Sequence, residues 1–355
     1  MPIWSVALPR PPVPSPRILW AIAPILAQMQ ARPAYAGPIV AEGLRATRTL
    51  GSKERPVAGD LLLGLVRHHR ALARIDPDPL KAWLRLAEEG PPDLPDPDDA
   101  YAVALSLPRA IADEWWARLG PDAAIALAVR LGGRAPVALR VLRDPVDLPV
   151  PHRRTGRAIV LDGRTNLTLL DAWKEGRIEV QDLGSQAIVD FVGEVLTGER
   201  GGLLPGARIL DLCAGAGGKS LALAALGARV QAWDTRRSAL DELLKRAGRA
   251  GLDIRVGPPR GGYDLVLVDA PCSGSGVLRR HPENRWKMAF PTDTQEALLR
   301  DAVTRGKHVV YATCSLLRAE NEDLVRRVAP APIREATVWP DADHEGFFMA
   351  QIAGS

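Results

Sequence analysis

The sequence predicts an α/β protein in which a mostly parallel sheet, with helices on both faces, follows an all-α region. Three observations carry this. From about residue 180 onward, short apolar runs alternate with helical stretches, the pattern of a parallel sheet with crossover helices. One of those runs feeds a glycine-rich loop, Asp211-Leu-Cys-Ala-Gly-Ala-Gly-Gly-Lys-Ser220, that opens a helix. Before residue 135, apolar residues recur at helical spacing instead.

In chain order, residues 1–16 are proline-rich and expected to be poorly ordered. Helices are predicted from Pro16 to about Glu89, where Ile18, Ile22, Ile25 and Leu26, then Leu61, Leu62, Leu65 and Val66, share helical spacing. Residues 90–99, Gly-Pro-Pro-Asp-Leu-Pro-Asp-Pro-Asp-Asp, read as an acidic linker. Further helices follow at 108–119, with Pro108 at the start, and at 121–132. The pattern turns extended over 137–161. Strands are then predicted at Ala207–Leu212, Arg229–Trp233, Tyr263–Asp269 and Lys307–Thr313, with helices at 220–226, 237–250 and Ala319–Val328. The expected division is a helical domain over 1–95, linker helices and a small extended subdomain over 96–165, and a catalytic domain over 166–355.

Composition narrows the class. At 355 residues and 46% hydrophobic the chain can bury a real core, and its net charge of +4 permits a nucleic-acid partner without requiring one. Three cysteines at unrelated spacings form no disulfide framework, and no Cys/His cluster has zinc spacing. A reducing, cytoplasmic setting without metal is expected. The N-terminus is broken by prolines and does not read as a signal peptide. No segment approaches the ~18 apolar residues of a membrane span. Monomer is the default.

Ligands of parallel sheets bind outside the carboxyl ends of the strands, where Asp211, Cys213, Asp234, Asp269, Cys272 and Cys314 all fall. Ala214, Gly215, Ala216, Gly217 and Gly218 let the backbone approach a ligand closely, and the helix start offers free amides to an anionic group. Two ligands suit such a loop. Gly218-Lys219-Ser220 resembles the end of a nucleoside-triphosphate loop, but that pattern needs glycine at position 213, where Cys213 stands. S-adenosylmethionine is the alternative, with its carboxylate on the loop and its ribose hydroxyls on an acid at the end of the next strand. Asp234, 23 residues after Asp211, is such an acid.

Two cysteines lie in Asp269-Ala-Pro-Cys272-Ser-Gly-Ser-Gly276 and Thr313-Cys314-Ser315. Carbon 5 of cytosine is a poor nucleophile until a thiolate adds to carbon 6, which is covalent catalysis. A nucleophile, a release residue and an acid near ring nitrogen 3 complete that chemistry. Cys314, Cys272 and Asp269 supply these types, with the two sulfurs expected on opposite sides of the ring. Lys219 would contact the base or hold Asp269.

These segments resemble the RsmB/Sun-type family of RNA cytosine-5 methyltransferases across residues 181–350. The resemblance rests on Gln181-Asp-Leu-Gly-Ser-Gln186, the 211–220 loop, Asp234, the Pro-Cys segment with Arg279-Arg-His-Pro282, Thr313-Cys-Ser315 with Glu320-Asn-Glu322, and Gly346-Phe-Phe348. It implies a Rossmann-like S-adenosylmethionine-dependent methyltransferase domain with a mostly parallel seven-stranded sheet. It also implies Cys314 as nucleophile and Cys272 as release residue. The cofactor would lie on Asp211, Cys213, Ala214, Gly215, Ala216, Gly217, Gly218, Lys219, Asp234 and Asp269. Two departures stand out. Gly215-Ala216 replaces the family's Ala-Pro, and the stretch Arg255-Val-Gly-Pro-Pro-Arg260 lacks the acid that contacts adenine.

Leu50-Gly-Ser-Lys-Glu-Arg55 and Leu63-Gly-Leu-Val-Arg67 resemble a NusB-like RNA-binding domain, which favours ribosomal over transfer RNA as the partner. Arg67, Arg70 and Arg74, with His68 and His69, are candidates for a basic stripe for RNA phosphates. His152-Arg-Arg154 and Arg279–Lys287 are further basic clusters. A catalytically silent ribosome-assembly protein and a P-loop NTPase are the competing classes. The intact cysteine pair speaks against the first, and Cys213 against the second.

Overall fold

The computed structural model describes residues 8, 10–91, 100–163, 165–286, 290–329 and 331–354. Half of the N-terminal stretch expected to be poorly ordered (1–7 and 9), the core of the acidic linker at 92–99 and Lys287 lie outside the described residues. The chain divides into two units. One comprises 1–134 with 277–289, the other 135–276 with 290–355.

The first unit is helical, as expected. It contains α1 (Pro16–Ala31), α2 (Ala36–Ala46), α3 (Glu54–Arg67), α4 (His69–Ile75), α5 (Pro79–Glu89), α6 (Ala100–Ala104), α7 (Arg109–Leu119) and α8 (Pro121–Gly132). Local chemistry sets these boundaries. The Ser15 hydroxyl caps α1 by accepting from Ile18 N, with Pro16 in the first turn. The Asp78 carboxylate caps α5 at Leu80 N and Lys81 N, and Gly90, at φ +86°, ends it. Gly64 lets α3 and α5 pack closely, since a Cβ there would sit 2.1 Å from the Trp83 ring.

Of the expected basic stripe Arg74 alone is exposed, while His69 and Arg70 are half-buried. Arg67 and His68 are buried, and Arg67 Nη2 donates to Arg279 O. Arg70 Nη1 donates to Leu107 O at 2.5 Å. Burial pushes the His68 imidazole down to about 3 and that of His69 to about 4, so both are neutral. The Arg279–Lys287 cluster fares likewise over its described part. Arg279 and Arg285 are buried, and Arg285 donates from Nη1 to Leu278 O and from Nη2 to Leu131 O. A guanidinium can be buried when backbone carbonyls take its donors.

The second unit holds two sheets. The smaller is antiparallel, with order β2 (His152–Thr155), β3 (Ala158–Leu161), β1 (Val137–Val141), β4 (Ile178–Val180). The expected 96–165 subdomain therefore divides. Its helices group with the first unit, while β1 pairs with β4 from beyond residue 165. Arg153 and Arg154 on β2 are neutralised by Asp343 and Asp144.

The larger sheet contains β5 (Arg208–Asp211), β6 (Arg229–Ala232), β7 (Ile254–Val256), β8 (Tyr263–Asp269), β9 (Gly306–Thr313), β10 (Arg334–Val338) and β11 (Phe347–Ala353). Its order among the described residues is β10-β11-β9-β8-β5-β6-β7. β5 to β9 are mutually parallel, β11 runs antiparallel to β9, and β10, antiparallel to β11, shares the direction of the rest. This is the predicted mostly parallel seven-stranded sheet. Leu265 to Val268 and Val309 to Ala312 are fully buried at its centre, as strands covered on both faces require. Helices α9 (Asp171–Lys174), α10 (Leu183–Thr197), α11 (Gly218–Ala225), α12 (Arg237–Ala250), α13 (Thr292–Val303) and α14 (Glu322–Val328) complete the unit. No described helix is long and apolar enough to cross a membrane.

Candidate active site

The carboxyl ends of β5, β6, β8 and β9 bring the expected residues to one edge of the sheet. Asp211 closes β5 and is buried. The Ser220 hydroxyl at the start of α11 donates to its Oδ2 at 2.6 Å, while Oδ1 has no hydrogen-bond partner. Burial pushes this carboxyl up to about 6, partly offset by the Ser220 bond. Gly215 and Gly217 take φ of +55° and +85°, and a Cβ on Gly217 would stand 2.5 Å from Leu243 Cγ. A Cβ on Gly218 would meet nothing within 4 Å, so the loop backbone is open there.

Asp234 follows β6. Its Oδ2 accepts from Gly215 N at 2.9 Å, and Oδ1 accepts from Arg236 N at 2.8 Å. The Arg236 guanidinium adds bonds of 3.0 Å to both oxygens. Burial opposes the Asp234 charge, but the bonds from Arg236 and Gly215 win and hold its carboxyl below the usual range. The cofactor loop is thus tied to the next strand through one carboxylate.

These residues fit S-adenosylmethionine. The orphaned Asp211 oxygen is a buried acceptor awaiting a donor, which the ammonium of an amino-acid tail supplies. The ionised Asp234 suits vicinal hydroxyls. Cys213, between them, is pushed up to about 12 by burial and the surrounding carboxylates, so it stays a thiol and packs the loop.

Lys219 enters from α11, and its Nζ lies 2.5 Å from Asp269 Oδ2 at the end of β8. Burial opposes the ammonium, yet Asp269, with Asp211 and Cys314 beyond it, holds its pKa above the ordinary value. Lys219 therefore holds Asp269.

Cys272 Sγ and Cys314 Sγ are 3.3 Å apart. No ring fits between sulfurs in contact, which is at odds with the expectation that they lie on opposite sides of one. The hydrogen bond with Cys314, then burial and the nearby Glu320 charge, raise Cys272 well above an ordinary thiol.

Sequence reading gave no role to the frame behind these sulfurs. Glu320 is fully buried. Its carboxylate accepts from Ser273 N at 2.8 Å, Ser273 Oγ at 2.5 Å and Gln295 Nε2 at 3.3 Å, and its carbonyl from the Tyr311 hydroxyl at 2.8 Å. Asn321 Nδ2 donates to Ser315 O at 2.9 Å, while the Thr313 hydroxyl donates to Asn321 Oδ1 at 2.6 Å. These bonds lock the Cys272 loop to the Cys314 strand end. Gly276 N donates to Cys314 O at 2.9 Å, and a Cβ on Gly276 would lie 2.3 Å from Gly346 O. This explains both glycines of the quoted motifs. Glu179, between Arg246 and Arg249, was also missed. Arg246 Nη1 reaches Ala216 O at 2.6 Å and braces the cofactor loop. Gln181 Nε2 does the same at Gly218 O, at 3.2 Å.

Residues 203–332 match the family described as 16S rRNA methyltransferase RsmB/F. Ribosomal RNA small subunit methyltransferase B of Citrobacter koseri is 31% identical over 207 residues, covering 53% of this chain and 46% of that protein. The Cronobacter sakazakii protein of the same name is 32% identical over 224 residues, covering 57% and 48%. The chain spans about half the length of these curated relatives. In fold, the crystal structure of PH0851 superposes with a TM-score of 0.75 at 19% identity, covering 95% of this chain and 98% of that one. NSun6 from Pyrococcus horikoshii gives 0.56 at 15%, covering 69% and 98%. Over residues 203–332 the chain therefore resembles the RsmB/F methyltransferase family, on a fold shared with PH0851.

Proposed function

We propose that the protein is an S-adenosylmethionine-dependent RNA methyltransferase that forms 5-methylcytosine, in small-subunit ribosomal RNA, through a covalent cysteine–cytosine intermediate. The observation that carries this reading is the sulfur pair, two thiols 3.3 Å apart beside a Lys219–Asp269 ion pair and a cofactor loop. The cofactor supplies an electrophilic methyl group.

A cytosine flipped or already unpaired reaches the strand ends. Cys314 adds as thiolate to carbon 6, and its sulfur is among the charges that sustain the Lys219 ammonium. Asp269 faces the ring edge at nitrogen 3, where a proton shared with Lys219 meets the negative charge that the addition pushes onto the ring. Carbon 5, now nucleophilic, takes the methyl group. Loss of the carbon 5 proton and rupture of the carbon 6–sulfur bond then return the aromatic ring and the Cys314 thiolate.

Cys272 is timed for that last step. Its hydrogen bond with Cys314 contributes most to keeping it a thiol. Once the Cys314 sulfur is bonded to carbon, it can no longer carry charge, and Cys272 loses its proton more readily. The release base becomes available after the adduct forms. The favoured substrate is rRNA, read from the NusB-like segments and from the names of the curated relatives, and the setting is cytoplasmic.

The test uses labelled S-adenosylmethionine and undermodified small-subunit rRNA. Cys314→Ala should lose turnover by at least about 10²–10⁴-fold. Cys272→Ala should instead trap a protein–RNA adduct that migrates slowly on a denaturing gel. Equal labelling by wild type and Cys314→Ala overturns the nucleophile assignment. Full turnover without adduct in Cys272→Ala reduces Cys272 to packing.

A further inference from the structure

The other edge of the same sheet carries a second feature. Six of the seven described strands are parallel, and β5, β6 and β8 are each followed by a helix before the next strand. The connection from β7 to β8 is different. It is the six-residue loop Gly257–Gly262, with no helix, in the stretch whose missing acid set this sequence apart. A parallel-sheet face without a helix must be polar or covered otherwise. Here it is polar. Arg229 and Gln231 stand two residues apart on β6, and Gln231 is in register with Arg255 on β7.

A cavity of about 410 Å³ opens there, walled by Arg208, Arg229, Arg255 and Arg260. Asp253 is the single acid in its lining, so four positive charges face one negative. The floor is built. Buried Gln231 donates from Nε2 to Gly257 O at 3.2 Å and Pro258 O at 2.7 Å. The Tyr263 hydroxyl donates to Gln231 Oε1 at 2.9 Å and accepts from Arg260 N at 2.9 Å. Two buried side chains thus fix the loop that presents Arg260. Arg208 lies over the Tyr263 ring, 5.9 Å from its centroid. Among the described residues, Arg229, Arg255 and Arg260 make no side-chain hydrogen bond or ion pair.

We propose that this cavity binds backbone phosphates of the RNA substrate at a point remote from the target cytosine. Guanidinium forks suit phosphate oxygens, and four convergent, largely unpaired arginines make an anion site rather than a solvated face. Tyr263 at the cavity and Asp269 at the catalytic edge end the same strand, about 20 Å apart at the ordinary ~3.3 Å rise. The contact therefore requires a long or folded RNA, and a short oligonucleotide carrying only the target base would not use it. The identity of the polyanion rests on the function proposed above; the cavity's preference for phosphate does not.

The test is RNA binding by the full chain, read by fluorescence anisotropy without turnover, with a folded rRNA fragment from about 50 to 200 mM salt. Arg229→Gln/Arg255→Gln/Arg260→Gln should lower the slope of log affinity against log salt by about 2. It should weaken binding roughly 10- to 100-fold near 0.1 M salt. Unaltered melting temperature and S-adenosylmethionine affinity report an intact fold. Should the triple variant unfold, Arg255→Glu alone, on an exposed site, must still weaken binding and lower the slope. An unchanged affinity and slope in a folded variant overturns the proposal. So does a stabilisation of wild type by ATP or pyrophosphate that the variant loses while its RNA binding is intact, because the cavity then serves a free phosphate ligand. If wild type binds the fragment but methylates no cytosine, the functional reading fails and the slope still decides the cavity.

Discussion

The two units both gather arginines, and they use them in opposite ways. In the helical unit Arg67 and Arg285 are buried, with terminal nitrogens donating to the carbonyls of Arg279, Leu278 and Leu131 while the Nε of each has no partner. Along the amino edge of the large sheet, Arg229, Arg255 and Arg260 are exposed and, among the described residues, make no side-chain hydrogen bond or ion pair. The first set is structural, each guanidinium replacing a hydrophobic plug while satisfying backbone acceptors. The second set retains its full charge for a ligand. A cluster of basic residues in sequence says little about which of these applies. What decides is whether the terminal nitrogens are already engaged.

The largest effect that would break this contrast lies at Arg285. Its replacement by alanine leaves two buried carbonyls unpaired and opens a cavity, a cost of about 3–5 kcal/mol. Thermal unfolding should show the loss directly. A variant that melts normally but binds rRNA more weakly would return this segment to the RNA surface and erase the distinction.

Acid separates the units next. His68 and His69 sit at about 3 and 4 in the fold, below the ordinary value near 6.5. Unfolding lets them take up protons, so their contribution is complete above pH 6.5 and is lost as pH falls toward 3–4. Asp211 runs the other way. Raised to about 6, it favours the folded state fully only below its unfolded value near 4, and that contribution disappears as pH climbs through 6. Between pH 6.5 and 4, protection of helical-unit amides in hydrogen exchange should therefore fall, on the order of a few kcal/mol. His68→Gln/His69→Gln should flatten that limb. Amides around Asp211 should gain protection over the same range. Parallel behaviour of both units would refute the contrast.

Much of the catalytic unit was legible because its chemistry is local in sequence. Asp211, Asp234, Asp269, Cys272 and Cys314 each end or follow an apolar run, and the topology carries strand ends to one edge. The strands β7 and β10 were not legible. They are short edge strands, and Arg255 or Arg334 breaks their apolar pattern. The stripe at 67–74 failed for a related reason. Arg67, Arg70 and Arg74 have helical spacing, but the helix is interrupted at His68, so Arg67 ends α3, where it is buried, and only Arg70 and Arg74 share α4. The arginine cavity was invisible because its members come one per strand or loop, 208, 229, 255 and 260, and meet only through sheet register. The Glu320 frame was quoted as a motif, yet the bonds that give it a role cross from residue 320 to 273 and 295.

The smallest expected effect sharpens the contrast most finely, because it concerns an exposed arginine. Arg153 on β2 looks available, with a side chain 62% exposed. Both of its terminal nitrogens, however, meet Asp343, at 2.7 and 2.8 Å, and Asp162 lies 3.8 Å away. Two carboxylates around one cation leave a local charge that repels phosphate. Arg153→Gln should therefore leave RNA affinity and its salt slope unchanged, where the same change at Arg255 lowers both. Asp343→Asn is the complementary experiment. It releases the guanidinium and should add at most the ~0.7–0.9 of slope expected for one new phosphate contact. If Arg153→Gln weakened binding as much as Arg255→Gln, exposure alone would govern RNA contact, and satisfaction of the guanidinium by its neighbours would not be the property that separates the two sets.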